Sequence, residues 1–162
     1  MDLNSLSIGL LLFAVFMFPI IYVLNMQRSK ENRTKRNLHS IASKNDLKLD
    51  KMETFGHLSL GLDSNAKKLI VLEFEDLEKA KLIDLKEVDQ VRIAKTLENA
   101  GSGRNTQKEK LVHIALELAG KKQHKLAEIT FYDEEDYDST DAEIRLNEAK
   151  KWDELLHKNL AV

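Results

Sequence analysis

The feature that most constrains this chain is a charge-free stretch near its N-terminus. No Asp, Glu, Lys or Arg occurs between Asp2 and Arg28, and the 19 residues from Leu6 to Leu24 include thirteen Leu, Ile, Val or Phe. As a helix with a rise of about 1.5 Å per residue, this run is about 29 Å long, close to the thickness of about 30 Å of a bilayer's hydrocarbon core. The stretch therefore predicts a membrane-spanning helix over residues 6–25, within an anchor of residues 1–27.

Two other interpretations of this stretch remain open. A cleaved signal peptide has a basic region before its apolar run and small residues at its cleavage site, whereas here Asp2 precedes the run and Asn25, Met26 and Gln27 follow it. A buried core helix has a polar face or a shorter apolar run. The membrane-spanning helix fits the stretch better than either.

Basic residues follow the apolar stretch, and none precedes it. Because cytoplasmic flanks carry the excess of Lys and Arg, we expect the N-terminus outside and the rest of the chain in the cytoplasm. The same cations are expected to contact the anionic surface of the bilayer. This membrane-surface set consists of Arg28, Lys30, Arg33, Lys35 and Arg36.

Composition narrows the chemistry open to the remainder of the chain. The 25 Lys and Arg nearly balance the 27 Asp and Glu, for a net charge of -2, which gives no reason to expect nucleic-acid binding. Absence of Cys excludes disulfides, thiol catalysis and Cys-ligated zinc. The five His lack ligand spacing, and no phosphate-binding loop or nucleophile elbow occurs. We expect no enzyme, no cofactor, no metal and no small-molecule substrate.

The hydrophobic period changes twice after the basic flank. Residues 28–46 carry apolar side chains at helical spacing and predict a basic connector helix. From residue 47 the period becomes two, which predicts about seven short strands. Residues 140–160 return to helical spacing, and Thr140 with Glu143 has the form of a capping box. The later predicted strands are 80–85, 88–97, 111–118 and 126–132.

The last predicted strand shows the two-residue alternation most clearly. Its buried face is expected to hold Ala127, Ile129 and Phe131, and its solvated face Glu128, Thr130 and Tyr132. By the same alternation, His113 and Glu117 of the preceding strand share one face, and we expect His113 to be exposed to solvent there. A loop without apolar periodicity, residues 98–110, precedes that strand.

Seven antiparallel strands followed by one helix predict a bent sheet or a small barrel capped by the helix. With Gly61-Leu62-Asp63 before a turn and Trp152 midway along the last helix, this order resembles the pleckstrin-homology-like fold over the cytoplasmic domain of residues 47–162. The resemblance implies that Trp152 packs into the barrel. Phosphoinositide binding in that family uses a basic loop between the first two strands, whereas the segment Glu53-Thr54-Phe55-Gly56 carries no cation here. The resemblance therefore implies the architecture without headgroup recognition at that loop.

Carboxylates crowd the segment before the last helix. Their mutual repulsion favours a bound cation or a basic partner. An EF-hand loop that began at Asp133 would need Gly where Asp138 stands, so the hypothesis is a partner-contact patch without metal. The acidic patch consists of Asp133, Glu134, Glu135, Asp136 and Asp138.

Together these features predict a single-pass membrane protein that presents a small cytoplasmic binding or scaffolding domain. Its expected partners are the lipid bilayer and another protein, which would be contacted through the β domain or the acidic patch. The alternative is an accessory subunit of a larger membrane complex, held through its transmembrane helix. Neither function involves catalysis.

Overall fold

A computed structural model describes residues 3–73, 79–99, 109–121, 124–135 and 141–160. Within these ranges, side chains are described except at 3–12, 27–31, 99 and 109. The element order is one helix, seven strands and a second helix. The elements are α1 (Leu3–Lys44), β1 (Lys51–Phe55), β2 (Leu58–Asp63), β3 (Lys68–Glu73), β4 (Lys81–Asp84), β5 (Gln90–Asn99), β6 (Glu109–Ala119), β7 (Lys125–Asp133) and α2 (Ala142–His157).

The strands form two antiparallel sheets. The first has the order β1-β2-β3-β4 and the second the order β5-β6-β7. The chain passes from one sheet to the other through a short turn, where Leu85 N–H donates to Lys67 O at 2.8 Å and Asp89 N–H donates to Ala119 O at 2.9 Å. The prediction of a single bent sheet or a small barrel is therefore wrong, because the described strands pair within two separate sheets and form no closed barrel.

The main core lies between the two sheets and α2. Alternate residues of each central strand point into it, as the two-residue period requires. Helix α2 packs on all three strands of the second sheet and inserts Trp152, which is fully buried. Large core side chains from the strands are Leu58, Leu60, Leu62, Leu69, Val71, Ile114, Leu116, Ile129 and Phe131.

A second, smaller core covers the outer face of the first sheet. The C-terminal part of α1 lies there, with Leu38 and Ala42 buried against Ile70 and Leu72. Since α1 covers one face and the main core the other, all six residues of β2 are buried. A Cβ at Gly61 would lie 2.8 Å from Leu49 Cδ1, so the side chain of Leu49 would have to move to accommodate a larger residue.

Local turn chemistry holds the end of α1 to the first sheet. The carboxylate of Asp63 accepts hydrogen bonds from Lys48 N–H at 2.6 Å, Asn65 N–H at 3.1 Å and Ala66 N–H at 2.9 Å. The bonds from Ala66 and then Lys48 hold the pKa of Asp63 below its usual value. This buried carboxylate therefore joins the β2–β3 turn to the segment between α1 and β1.

The N-terminal half of α1 contradicts the predicted anchor. In the described part of the chain, no helix is both long enough and apolar enough to cross a membrane. The predicted span over 6–25, the single-pass topology and the assignment of N-terminus outside with the C-terminal domain cytoplasmic are therefore wrong on this finding.

The capping box predicted at the start of α2 falls partly outside the described residues. Asp141 is the N-cap residue and makes no side-chain capping hydrogen bond. Thr140, the first member of the predicted capping box, lies outside the described residues. Within the described residues, the helix is held by its buried face and by Trp152, whose Nε1–H donates to Glu53 Oε2 on β1 at 3.0 Å.

Candidate functional site

A β-bulge near the end of β7 assembles the most chemically distinctive site of the described residues. Pairing between β6 and β7 shifts register after Ile114, so that Ile114 pairs with Tyr132 while Ala115 pairs with Thr130. Phe131 is the extra residue of the bulge, and both it and Tyr132 are buried. An extra residue reverses the alternation beyond it. Tyr132 therefore lies in the core, although the sequence predicted it on the solvated face.

The same reversal brings Asp133 next to His113. Without the bulge, Asp133 would share the inner face with Ile129, but here it pairs with His113 across the two strands. His113 Nδ1 lies 3.2 Å from Asp133 Oδ2, and His113 Nε2 lies 3.3 Å from Glu128 Oε1. The imidazole is thus held between two carboxylates of β7.

Further charges extend this arrangement across the outer face of the second sheet. Lys125 Nζ contacts Glu128 and lies 3.6 Å from Glu117 Oε1, and Arg92 Nε donates to Glu117 Oε2 at 2.6 Å. The Lys125 ammonium, and then His113, hold the pKa of Glu128 below its usual value. We call the row Arg92, Glu117, Lys125, Glu128, His113 and Asp133 the charge ladder.

An open concavity of about 480 Å³ adjoins one end of the charge ladder. Acidic side chains dominate its lining, and Lys110 is bonded to one of them, Glu134. This contact raises the pKa of Lys110 above its usual value. The acidic concavity is lined by Glu98, Val112, His113, Asp133, Glu134 and Glu135.

Part of the predicted acidic patch therefore meets at one surface. Asp133, Glu134 and Glu135 line the concavity together with Glu98 of β5, which the sequence did not connect to them. Asp136 and Asp138 lie outside the described residues. Only the strand register brings Glu98 to this place, so no signal in the local sequence pointed to it.

The predicted membrane-surface set is elsewhere in the molecule. Arg33, Lys35 and Arg36 are exposed on α1, while the side chains of Arg28 and Lys30 lie outside the described residues. Since α1 packs on the first sheet and the charge ladder lies on the second, these basic residues do not join the acidic concavity.

The geometry of His113 does not suit a metal ion. Its two carboxylate neighbours contact opposite edges of the ring, so the three groups do not converge on one point as ligands must. No group of three or more His, Asp or Glu in the described ranges has an arrangement that would hold a metal ion.

Comparison with known proteins yields no relative. No protein-family model matches the chain, and no curated protein or solved structure is similar to it.

Proposed function

We propose that this protein is a non-catalytic binding module that takes a basic segment of another protein at the acidic concavity. The observation that carries the proposal is that four acidic residues, Glu98, Asp133, Glu134 and Glu135, line one concave surface. Lys110 offsets one of them through its bond to Glu134. The surplus of negative charge favours Lys or Arg side chains and steers their approach.

The arrangement of strands supports a second part of the proposal, that the domain is pleckstrin-homology-like. Four antiparallel strands, then three, are followed by a helix that packs on the second sheet. Trp152 is fully buried on that helix. A binding function on this architecture needs no catalytic group.

Fluorescence anisotropy with defined peptides tests the binding function. The full-length chain is titrated into a labelled nine-residue peptide of alternating Lys and Gly, with a Ser–Gly peptide of equal length as the neutral probe. At low ionic strength we expect binding of the Lys peptide alone. Since each exposed ion pair contributes about 0.2–1 kcal/mol, the double variant Glu134→Gln with Glu135→Gln should bind about fivefold more weakly.

Glu87→Gln provides the matched control for that variant. Glu87 is exposed in the turn before β5, and its carbonyl lies beside Gly120, at the opposite end of β6 from the concavity. Removing this carboxylate should leave peptide affinity within twofold of the wild type. Equal affinity for the Lys and Ser–Gly peptides, or equal weakening by the Glu87 control, contradicts the proposed function.

A second candidate function rests on the exposed apolar segment of α1. Phe13, Phe16, Phe18 and Tyr22 are 63–74% exposed and lie on several sides of the helix. A large exposed apolar surface marks an interaction site, so we propose as the alternative that the protein is a subunit of a larger assembly whose other chains cover this segment. Replacing Phe13–Met26 with a polar helical sequence should then abolish co-purification of those subunits, whereas the peptide-binding function predicts unchanged affinity for the Lys peptide.

A further inference from the structure

The imidazole of His113 contacts a carboxylate at each ring nitrogen, so gain or loss of a proton changes these two contacts. One ring nitrogen faces Asp133 Oδ2 at 3.2 Å and the other faces Glu128 Oε1 at 3.3 Å. The side chain is 28% exposed, so solvent protons reach it. We propose that His113 is a proton-dependent clasp, which fastens the end of β7 to β6 when the ring is doubly protonated and loosens it when the ring is neutral.

The donor and acceptor inventory of these groups supports this inference. An ionised carboxylate only accepts hydrogen bonds, and a neutral imidazole has one N–H donor, whereas the imidazolium has two. The neutral ring therefore donates to Asp133 or to Glu128, and its other nitrogen presents a lone pair to the second carboxylate. Uptake of one proton from solvent converts that repulsive contact into a charge-assisted hydrogen bond.

Among the described ion pairs, His113 is the group that can neutralise the charge of Asp133. Within the described ion pairs, each nearby ammonium or guanidinium contacts a glutamate, and Asp133 pairs with no cation besides His113. Asp133 Oδ1 accepts from the backbone N–H of Glu135. The charged groups around the clasp, apart from Glu128 and Asp133, are Arg92 and Glu98 of β5, Lys110 and Glu117 of β6, Lys125 of β7, and Glu134 and Glu135 of the following turn.

The position of the clasp explains why it would control local opening. It lies beyond the bulge, where the β6–β7 pairing of the described residues continues through Tyr132, Asp133 and the bond from Glu134 N–H to Val112 O at 2.9 Å. A bulge interrupts the ladder of hydrogen bonds, so this end of β7 depends on side-chain contacts more than the regular part of the strand does. Loss of one contact of His113 should raise the frequency with which the Glu134 amide opens to solvent.

Amide hydrogen exchange followed by NMR on the full-length protein tests the inference. Exchange of the Glu134 amide is measured at pH 5.5 and pH 7.5 and corrected for the intrinsic pH dependence. We expect the protection factor in the wild type to fall about threefold to tenfold between the two values, because histidine is the side chain that changes charge in this range. His113→Gln should show equal protection at both pH values.

His124→Gln is the matched control, because His124 is exposed at the other end of β7. This variant should keep the pH dependence of the wild type. If the wild type shows no fall in protection, or if His113→Gln retains it, the clasp does not exist.

Nitrogen chemical shifts of the His113 ring in the wild type give a readout that does not depend on a variant folding. These shifts report directly whether each ring nitrogen carries a proton, and the inference requires the doubly protonated ring to coincide with the higher protection of the Glu134 amide. A ring that is neutral at pH 5.5 would overturn the inference. Because no peptide is present in these measurements, their outcome is separate from that of the proposed binding function.

Discussion

Replacement of Trp152 tests the packing that unites α2 with both sheets. The side chain is fully buried, and a buried Trp removes about 150–250 Å² from water. At about 25 cal/mol per Å² this burial contributes about 4–6 kcal/mol, and measured Trp→Ala changes cost about 3–5 kcal/mol. We therefore expect Trp152→Ala to lower the free energy of unfolding by about 4 kcal/mol, a large share of the 5–15 kcal/mol typical of a domain.

The indole N–H adds a polar component that a second substitution isolates. Trp152 Nε1–H donates to Glu53 Oε2 at 3.0 Å, and Lys151 also contacts this carboxylate. A double-mutant cycle of Trp152→Phe and Glu53→Ala, which remove the donor and the acceptor respectively, should give a coupling energy of about 1 kcal/mol, the usual size for such a bond. Independent, additive effects would show that this contact does not link α2 to β1.

Urea unfolding monitored by far-UV circular dichroism is the appropriate assay, because Trp152 is the sole tryptophan and its fluorescence is lost in the variants. Ile144→Ala serves as the control, since Ile144 lies on the same helix but is 56% exposed. This change should cost less than about 0.5 kcal/mol. A cost for Trp152→Ala as small as that of the control would refute the assignment of α2 to the main core.

Three further predictions concern the joint between α1 and the first sheet. Asp63→Ala should cost about 2–4 kcal/mol at pH 7, because it leaves backbone amides such as that of Ala66 without their acceptor. Since the pKa of Asp63 is lowered in the fold, its carboxylate stabilises the fold above about pH 4 and this stabilisation is lost at lower pH. The free energies of unfolding of wild type and variant, measured in urea, should therefore become equal on acidification. Leu38→Ala should cost about 2–4 kcal/mol and expose the segment after α1 to limited proteolysis, whereas unchanged cleavage contradicts its packing. Gly61→Val should cost about 1–3 kcal/mol in thermal unfolding by overpacking against Leu49, and Gly61→Ala less, because the end of that leucine can rotate away from one methyl.

The order of elements in the β domain was accessible from the sequence, because the hydrophobic period is a local property. The prediction of a strand over 126–132 corresponds to Lys125–Asp133, and that over 111–118 to Glu109–Ala119. The helix predicted over 140–160 corresponds to Ala142–His157. Each of these elements has a buried face that repeats at the period of its own backbone, up to the bulge at Phe131 in the last strand.

The division into two sheets depended on contacts that no local pattern encodes. Whether β4 pairs with β5 is decided by the turn between them, whose amides bond to carbonyls of residues far away in the sequence. The burial of both faces of the first sheet likewise required α1 to lie across Ile70 and Leu72. The apolar N-terminal stretch shows the same limit, since its composition predicted an anchor that no helix in the described residues provides.

The sequence by itself determined the types of side chain available to this protein, without cysteine chemistry and with a dense acidic segment before the last helix. Tertiary structure alone decided which of them meet. One extra residue in β7 reverses the alternation beyond Phe131 and places Asp133 beside His113. Strand register is set by pairing between segments about 20 residues apart. The sequence therefore shows which residues are charged, but it does not show which of them become neighbours in the charge ladder.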